Sequence, residues 1–306
     1  MTNTDDILWL NDHGPKHIST VIERASDLVD GATIVLNPRE VYILLSSIQL
    51  HDVGNFYGRK GHEKKILEII QDVNQFVGFD AIEQRYIKNI AQVHGGKIIK
   101  KNGIKDPNTI VTIKPSVTIE QYPIRKQVLA SIVRFADELA DDKNRADSIM
   151  LFKKQIPKSS EIYHAYSFCL DSVIVKHDSQ TVELHFKIPK EFLLNKLGKG
   201  KSEVYLLDEL YERVLKVHNE RIYCSKFWKG LIDIDKIWIQ IEFYTRHEPN
   251  KTIKESDFTV HDDITFTLQD NQYPNISGDI FSMCSELKYP DGKNITGENL
   301  LNILNK

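Results

Sequence analysis

Histidines and aspartates recur at the ends of predicted helices within the first 140 residues, and their side chains could share a metal ion. His17 lies four positions before Val21 and His94 lies four positions after Ile90, so each shares a helix face with an inward apolar residue. Imidazoles and carboxylates are costly to bury unless they are paired or bound to metal. Nitrogen and carboxylate oxygen ligands suit iron, manganese, zinc, cobalt and nickel. The candidates that could converge in one bundle are His17, His51, Asp52, His62, His94 and Asp137.

The elements that must position these side chains are predicted to be helices with an apolar residue every three to four positions. Gly54 is predicted to end the second of them, and Gly95-Gly96 the fourth. Residues 97–117 are basic and then β-branched, which predicts a loop or a small hairpin. The predicted helices begin near Pro15, Pro38, Gly61, Asp80 and Ile119, and the last of them runs to about Ala140.

The pattern changes after about residue 152, where apolar residues begin to alternate with polar ones. Strands are predicted at Tyr163–Lys176, Thr181–Ile188, Ile237–Phe243 and Ile264–Leu268, and a helix at Leu206–Leu215. We therefore predict an α+β protein with an all-α N-terminal domain over residues 1–152. A smaller mixed α/β domain with a mainly antiparallel sheet follows over residues 153–306.

Composition excludes several classes of protein. The 306 residues are 41% hydrophobic and 27% charged, which is typical of a globular protein. Forty basic and 43 acidic residues give a net charge of −3, which argues against broad nucleic-acid binding. The apolar runs are far shorter than the roughly 20 residues of a membrane span, and the polar N-terminus is not a signal peptide. Three widely spaced cysteines predict reduced thiols and a cytoplasmic location.

The order of the candidate ligands resembles that of the HD-domain superfamily of metal-dependent phosphohydrolases. The resemblance covers residues 11–147 and rests on five strings, of which the last is the most specific. They are HGPKHISTV, LLSSIQLHDVGN, GHEKKILEII, IAQVHGG and SIVRFADELADDKNR. The N-terminal domain is therefore expected to be an HD-type helical bundle.

The resemblance implies one or two divalent transition metal ions (Mn, Fe, Co, Ni or Zn). It implies that His17, His51, Asp52 and Asp137 bind the first metal. Asp52 would then bridge to a second metal that His62 and His94 complete. The alternative for His62 and His94 is hydrogen bonding to the ligands or to substrate.

The implied reaction is hydrolysis of a phosphoester or phosphoanhydride bond by metal-activated water. Arg59 and Lys60, in a glycine-rich loop, either contact the phosphate or are solvated charges. Lys97 and Arg145 are further candidates for the same rim, although Arg145 can instead pair with Asp141 or Asp142. His13 either contacts substrate or caps the first helix.

Two other functions use the same ligand pattern. The first is a di-iron oxygenase of the same superfamily, and the second is a non-catalytic nucleotide-sensing module. For the hydrolase, nucleoside polyphosphates, cyclic nucleotides and single-stranded nucleic acid remain open as substrates. The near-neutral net charge disfavours the last of them.

The chain also resembles, more weakly, HD modules found beside Hsp90-type ATPases. The C-terminal domain is predicted to shape the pocket, to form a homo-oligomer or to bind a partner.

Overall fold

The computed structural model describes residues 14–57, 65, 66, 68–72, 80–99, 103–246, 258–269 and 279–304. These residues fall into two compact units. Unit 1 takes those of residues 14–140 and 220–233, and unit 2 takes those of residues 141–219 and 234–304. The fold is α+β, as predicted, with helices first and a mainly antiparallel sheet afterwards. The domain boundary after residue 152 stays a prediction. A domain is a part of the chain that folds independently, and the compactness of the two units does not measure independent folding.

Four helices in the described part of unit 1 have strong apolar faces and contribute to its core. Asn37 begins the second helix by accepting hydrogen bonds from the Arg39 and Glu40 N–H groups, and Glu40 accepts in return from the Asn37 N–H. Asp80 caps the third in the same way, because short side-chain acceptors satisfy the first N–H groups of a helix. Residues 65, 66 and 68–72 are also helical. The four helices are α1 (Pro15–Val29), α2 (Pro38–Leu50), α3 (Ala81–Gln92) and α4 (Lys126–Glu138).

Two short hairpins lie between α3 and α4. Strand β1 (Ile98–Ile99) pairs with β2 (Lys105–Asp106), which confirms the hairpin predicted in this segment. Strand β3 (Val117–Ile119) pairs with β4 (Tyr122–Ile124), where a helix was predicted. That part of the prediction is wrong because Glu120 turns the chain at φ +54° and Pro123 disfavours a helix. The helix begins only at Lys126.

Unit 2 contains two helices before its sheet, α5 (Ser148–Phe152) and α6 (Glu161–Cys169). Strand β5 (Leu170–Lys176) follows α6 directly, so the single strand predicted at Tyr163–Lys176 is wrong over its first half. Ile162, Ala165, Tyr166 and Cys169 are the apolar side chains that α6 buries. Their spacing is helical, but the aromatic content of the segment is typical of a strand and obscured it.

Four strands of unit 2, including β5, form one sheet, and two short strands pair in a separate hairpin. The order of the strands is β10-β9-β6-β5, and only the β6–β9 pair is parallel. A parallel pair requires a crossover connection, which here includes the predicted helix after Leu206. The predicted strands that follow β5 are confirmed. The elements are β6 (Thr181–Pro189), β7 (Leu197–Lys199), β8 (Ser202–Val204), α7 (Leu206–Trp228), β9 (Lys236–Arg246), β10 (Phe258–Leu268), α8 (Ile280–Met283) and α9 (Gly297–Leu304).

A buried ion pair fixes α4 inside unit 1. Arg134 is 6% exposed, and its Nε and Nη2 donate to the two carboxylate oxygens of Glu220 at 2.6 and 2.8 Å. Its Nη1 donates to the Pro107 carbonyl and to Thr109 Oγ1. The guanidinium also stacks 4.4 Å from the ring centre of Tyr223. Every face of this cation has a partner, as a buried charge requires.

Two sequence predictions about solubility and cysteine chemistry can be compared with the described residues. No helix among them is long and apolar enough to cross a membrane. Cys169, Cys224 and Cys284 are free thiols and are buried, as the absence of a disulfide pattern predicted. Burial raises the pKa of all three thiols, so they are poor nucleophiles.

Candidate metal centre

Five of the predicted ligands lie at helix ends in unit 1. His17 is in the first turn of α1, His51 is the C-terminal cap of α2, and Asp52 follows it. Asp137 is in the last turn of α4. His94 comes two residues after the end of α3. His17 and Asp137 continue the inward faces of their helices, four positions from the buried Val21 and Val133, so these helix ends can meet inside the bundle.

Four of these side chains converge on one point. His17, His51, Asp52 and Asp137 each offer a ligand atom within 4.8 Å of the others. Asp137 Oδ1 is 3.2 Å from His17 Nε2 and 3.4 Å from His51 Nε2. Asp52 Oδ2 is 3.8 Å from His17 Nε2 and 3.6 Å from His51 Nε2. The two imidazoles are almost completely buried, at 1% and 0% exposed.

These separations fit a bound cation. Ligands placed tetrahedrally at about 2.1 Å from a metal are about 3.4 Å apart, and the four observed separations lie on either side of that value. Asp52 and Asp137 retain 13% and 28% side-chain exposure, so solvent reaches the carboxylate side of the cluster. The set therefore has the spacing, the donor types and the access that a reactive metal centre needs.

The backbone fixes the orientation of two of the imidazoles. His51 Nδ1 lies 2.6 Å from the Ile48 carbonyl oxygen, and His94 Nδ1 lies 2.5 Å from the Ala91 carbonyl oxygen. A carbonyl only accepts, so each Nδ1 carries the proton. In the neutral ring Nε2 then keeps its lone pair and faces the carboxylates, which is the tautomer that binds a metal.

His94 lies near the second carboxylate oxygen of Asp52. Its Nε2 is 3.8 Å from Asp52 Oδ1, whereas His17 and His51 face Oδ2 of the same carboxylate. The His94 ring packs edge-on against the His51 ring with centres 4.9 Å apart. Asp52 thus presents one oxygen to the four-residue cluster and the other to His94.

The carboxylates attract positive charge to the centre. Burial alone lowers the pKa of His51, but Asp137 and Asp52 raise that pKa to about 9. Burial raises the pKa of Asp137, whereas His51 and His17 lower it well below its usual range. Burial and the neighbouring His51 lower the pKa of His94. A divalent cation at the same position supplies this positive charge itself and competes with the proton on His51.

The other predicted site residues are not part of this cluster in the described part of the chain. Lys97 is exposed, three positions beyond His94. Arg145 belongs to unit 2, where its Nη1 donates to Asp141 Oδ1 at 2.7 Å. That ion pair is one of the two interpretations that the sequence left open. The residues that lie outside the described part of the chain are His13, Arg59, Lys60 and His62.

Sequence reasoning missed the two carbonyl groups that orient the imidazoles. Ile48 and Ala91 are apolar, so neither attracts attention as a polar partner. Each lies three positions before its histidine, near the C-terminal end of a helix, where carbonyl groups lack a helical partner. That spacing is the signal that could have identified them.

Comparison with known proteins identifies a family match over the region that contains the candidate metal centre. The model of the HD-CE family matches residues 8–216, which is 209 of the 306 residues. The matched segment contains all six predicted ligands and indicates an HD-type domain. No curated protein matches the chain.

Proposed function

This chain belongs to the HD-CE family, and from that premise we propose that it is a metal-dependent phosphohydrolase. Its proposed substrate is a nucleotide-type molecule, whose phosphoester or phosphoanhydride bond is cleaved by metal-activated water. The observation that carries the proposal is the convergence of His17, His51, Asp52 and Asp137 at the spacing of ligands to one cation. An HD-type domain with this cluster agrees with such a reaction.

The chain's own residues prepare this centre for hydrolysis. A divalent metal held there supplies Lewis-acid activation of water and of the phosphoryl group. His51 holds its proton at Nδ1, against the Ile48 carbonyl, so that Nε2 remains a ligand throughout the reaction. Asp52 and Asp137 supply the negative charge that retains the cation, and their partial exposure leaves room for water and phosphate oxygens.

We extend the proposal to two metal ions, both of which Asp52 would hold. The support is the position of His94, whose Nε2 lies near Oδ1 of Asp52, whereas His17 and His51 lie near Oδ2. His62 would complete the second position. A second cation held there would help to stabilise the attacking and leaving oxygens of the displacement.

The remaining assignments are proposals that concern substrate and context. Lys97 is proposed to attract the phosphate at the rim of the site, together with Arg59, Lys60 and His13. The C-terminal domain, residues 153–306, is proposed to act as an accessory domain that forms a homo-oligomer. A cytoplasmic location is part of the same proposal, and so is the finer resemblance to HD modules found beside Hsp90-type ATPases.

The test is phosphate release by the purified full chain from a panel of substrates. Nucleoside polyphosphates, cyclic nucleotides and single-stranded oligonucleotides are incubated with Mn²⁺ or Co²⁺ in ¹⁸O-labelled water. We expect ¹⁸O in the phosphate product, activity without oxygen, and no activity in the presence of a chelator. Asp137→Asn should abolish turnover, and Asp30→Asn, at the exposed end of α1, should not.

Other outcomes would favour the rival functions. Turnover that requires oxygen, in a protein that contains iron, would replace the hydrolase with the di-iron oxygenase. Nucleotide binding without cleavage across the whole panel would replace it with the sensing module. Activity that survives chelation would remove the metal from the mechanism.

A further inference from the structure

His94 lies two residues beyond the end of α3, so the regular hydrogen bonds of that helix do not determine its backbone. Gly96 then turns the chain at φ +73°, which prevents the helix from continuing. His94 is nevertheless only 7% exposed, and its Nε2 lies 3.8 Å from Asp52 Oδ1. A contact from outside α3 is needed to hold this turn against Asp52.

Thr109 provides such a contact. Its Oγ1 donates to the Val93 carbonyl oxygen at 2.8 Å, and Thr109 is only 6% exposed. The Val93 carbonyl and the His94 N–H belong to one planar peptide group, so a hydrogen bond to this carbonyl orients the peptide that precedes His94. The end of a helix leaves such carbonyl groups without a helical partner. Thr109 therefore satisfies a buried acceptor and fixes the backbone of His94 with the same bond.

Arg134, on α4, determines the direction of that bond. Its Nη1 donates to Thr109 Oγ1 at 2.9 Å and to the Pro107 carbonyl at 3.0 Å. Arginine is only a donor, so Thr109 accepts from Arg134 and its single proton is left for the Val93 carbonyl. The hydroxyl thus connects α4, which also carries Asp137, to the turn that carries His94.

The chain on the C-terminal side of Thr109 is anchored to two helices of unit 1. The Ile110 N–H donates to the Tyr223 hydroxyl of α7 at 2.9 Å. Gln127 Nε2, on α4, donates to the Ile113 carbonyl at 2.9 Å. Ile110 itself is completely buried. These anchors hold the Thr109 backbone in place, so its hydroxyl can serve as a fixed support for His94.

We propose that Thr109 is a positioning residue of the candidate metal centre, where its hydroxyl holds His94 beside Asp52 for binding of the second metal ion. The inference rests on the proposed two-metal function, which assigns His94 to that ion. Thr109 contacts neither the His94 ring nor Asp52 through a hydrogen bond, and it acts through the peptide group before His94. Groups that orient a ligand in this way typically contribute about 10–100-fold to metal affinity.

The first test compares two substitutions at Thr109 in the full chain, which is freed of metal with a chelator and then titrated with Mn²⁺. Thr109→Val nearly keeps the shape of the side chain and removes the hydroxyl. It should weaken binding of the second ion about 10–100-fold and leave two ions per chain at saturation. Thr109→Ser restores the hydroxyl and should recover most of the affinity. Thr112→Val is the matched control, because it removes a hydroxyl that donates to the Thr109 carbonyl and should leave metal affinity unchanged.

A double-mutant cycle separates the positioning of His94 from a general loss of stability. In the His94→Ala background, Thr109→Val should not change the affinity for the remaining ion, because the residue through which Thr109 acts has been removed. A clear loss of affinity for that ion would overturn the proposal, and so would a failure of Thr109→Ser to recover binding of the second ion.

A third measurement does not depend on the proposed function. In chelator-treated protein, NMR of the ¹⁵N-labelled imidazoles follows the His94 Nδ1 proton, which lies against the Ala91 carbonyl. Its exchange with water should be about tenfold faster in Thr109→Val, the change expected for loss of one hydrogen bond, and nearly normal in Thr109→Ser. Unchanged exchange in folded Thr109→Val would overturn the proposal even if the chain hydrolyses nucleotides. Faster exchange in a chain that binds a single metal ion would exclude the second ion and still support the positioning of His94 by Thr109.

Discussion

Helix α4 carries two charged residues only three positions apart, Arg134 and Asp137, and their surroundings differ in kind. Arg134 pairs with a carboxylate of fixed charge, Glu220, and fills its remaining donor positions with Thr109 and a carbonyl group. Asp137 faces two imidazoles, His17 and His51, whose charge depends on a proton. The first arrangement is complete within the protein, and the second has the spacing that a bound cation would complete. The difference separates a structural ion pair from a candidate ligand site.

The largest expected effect concerns the candidate metal centre, where Asp137 and Asp52 face imidazoles. Asp52→Ala should remove most bound metal and lower phosphohydrolase activity by more than about 100-fold, since even changes around a metal's ligands typically cost about 10–100-fold. Metal content and initial rates are the measurements. Asp30→Ala is the control. A variant that keeps full metal occupancy would show that the cluster is not the metal centre.

Loss of the Arg134–Glu220 ion pair should lower the stability of the protein. Arg134→Met leaves the Glu220 carboxylate without its cation and should lower the free energy of unfolding by about 3 kcal/mol, measured by urea denaturation. Metal stoichiometry at temperatures where the protein is folded should not change. The double variant Arg134→Met/Glu220→Gln should recover part of the stability. Metal loss in folded Arg134→Met would remove the distinction between the two sites.

The third prediction concerns the number of metal ions. If His94 is a ligand of a second metal, His94→Ala should lower the count from two ions per chain to one, measured by elemental analysis at saturating metal. A change outside the ligand shell would weaken affinity and leave the count at two. One metal per chain in the parent protein would remove the two-metal proposal.

The smallest expected effect concerns Lys97, at the proposed rim of the phosphate site. Lys97→Ala should raise KM less than about fivefold and leave kcat unchanged, because exposed ion pairs contribute at most about 1 kcal/mol. Lys153→Ala, an exposed lysine of unit 2, is the control. A large fall in kcat would instead place Lys97 in contact with the reacting phosphate.

The fold prediction was accurate where a few neighbouring residues fix the structure, and it was wrong where packing decides it. Asn37, Asp80 and Pro38 mark helix starts by direct hydrogen bonding or by fixed φ, and those helices begin where the sequence predicted. The start of α4 and the helix α6 were predicted wrongly. At the first, Ile124 in the β3–β4 hairpin lies four positions before Val128 and so continues the apolar period of the helix. At the second, packing favours a helix over the strand propensity of aromatic residues.

The sequence alone determined which residue types form the candidate centre and the order of the helix ends that carry them, because capping and periodicity are local properties. Only the tertiary structure decided that Asp137 Oδ1 lies within 3.4 Å of two imidazoles and that Asp52 turns its two oxygens to different histidines. Distances between side chains depend on how helices far apart in sequence pack together, and a spacing rule within one helix contains no information about that packing.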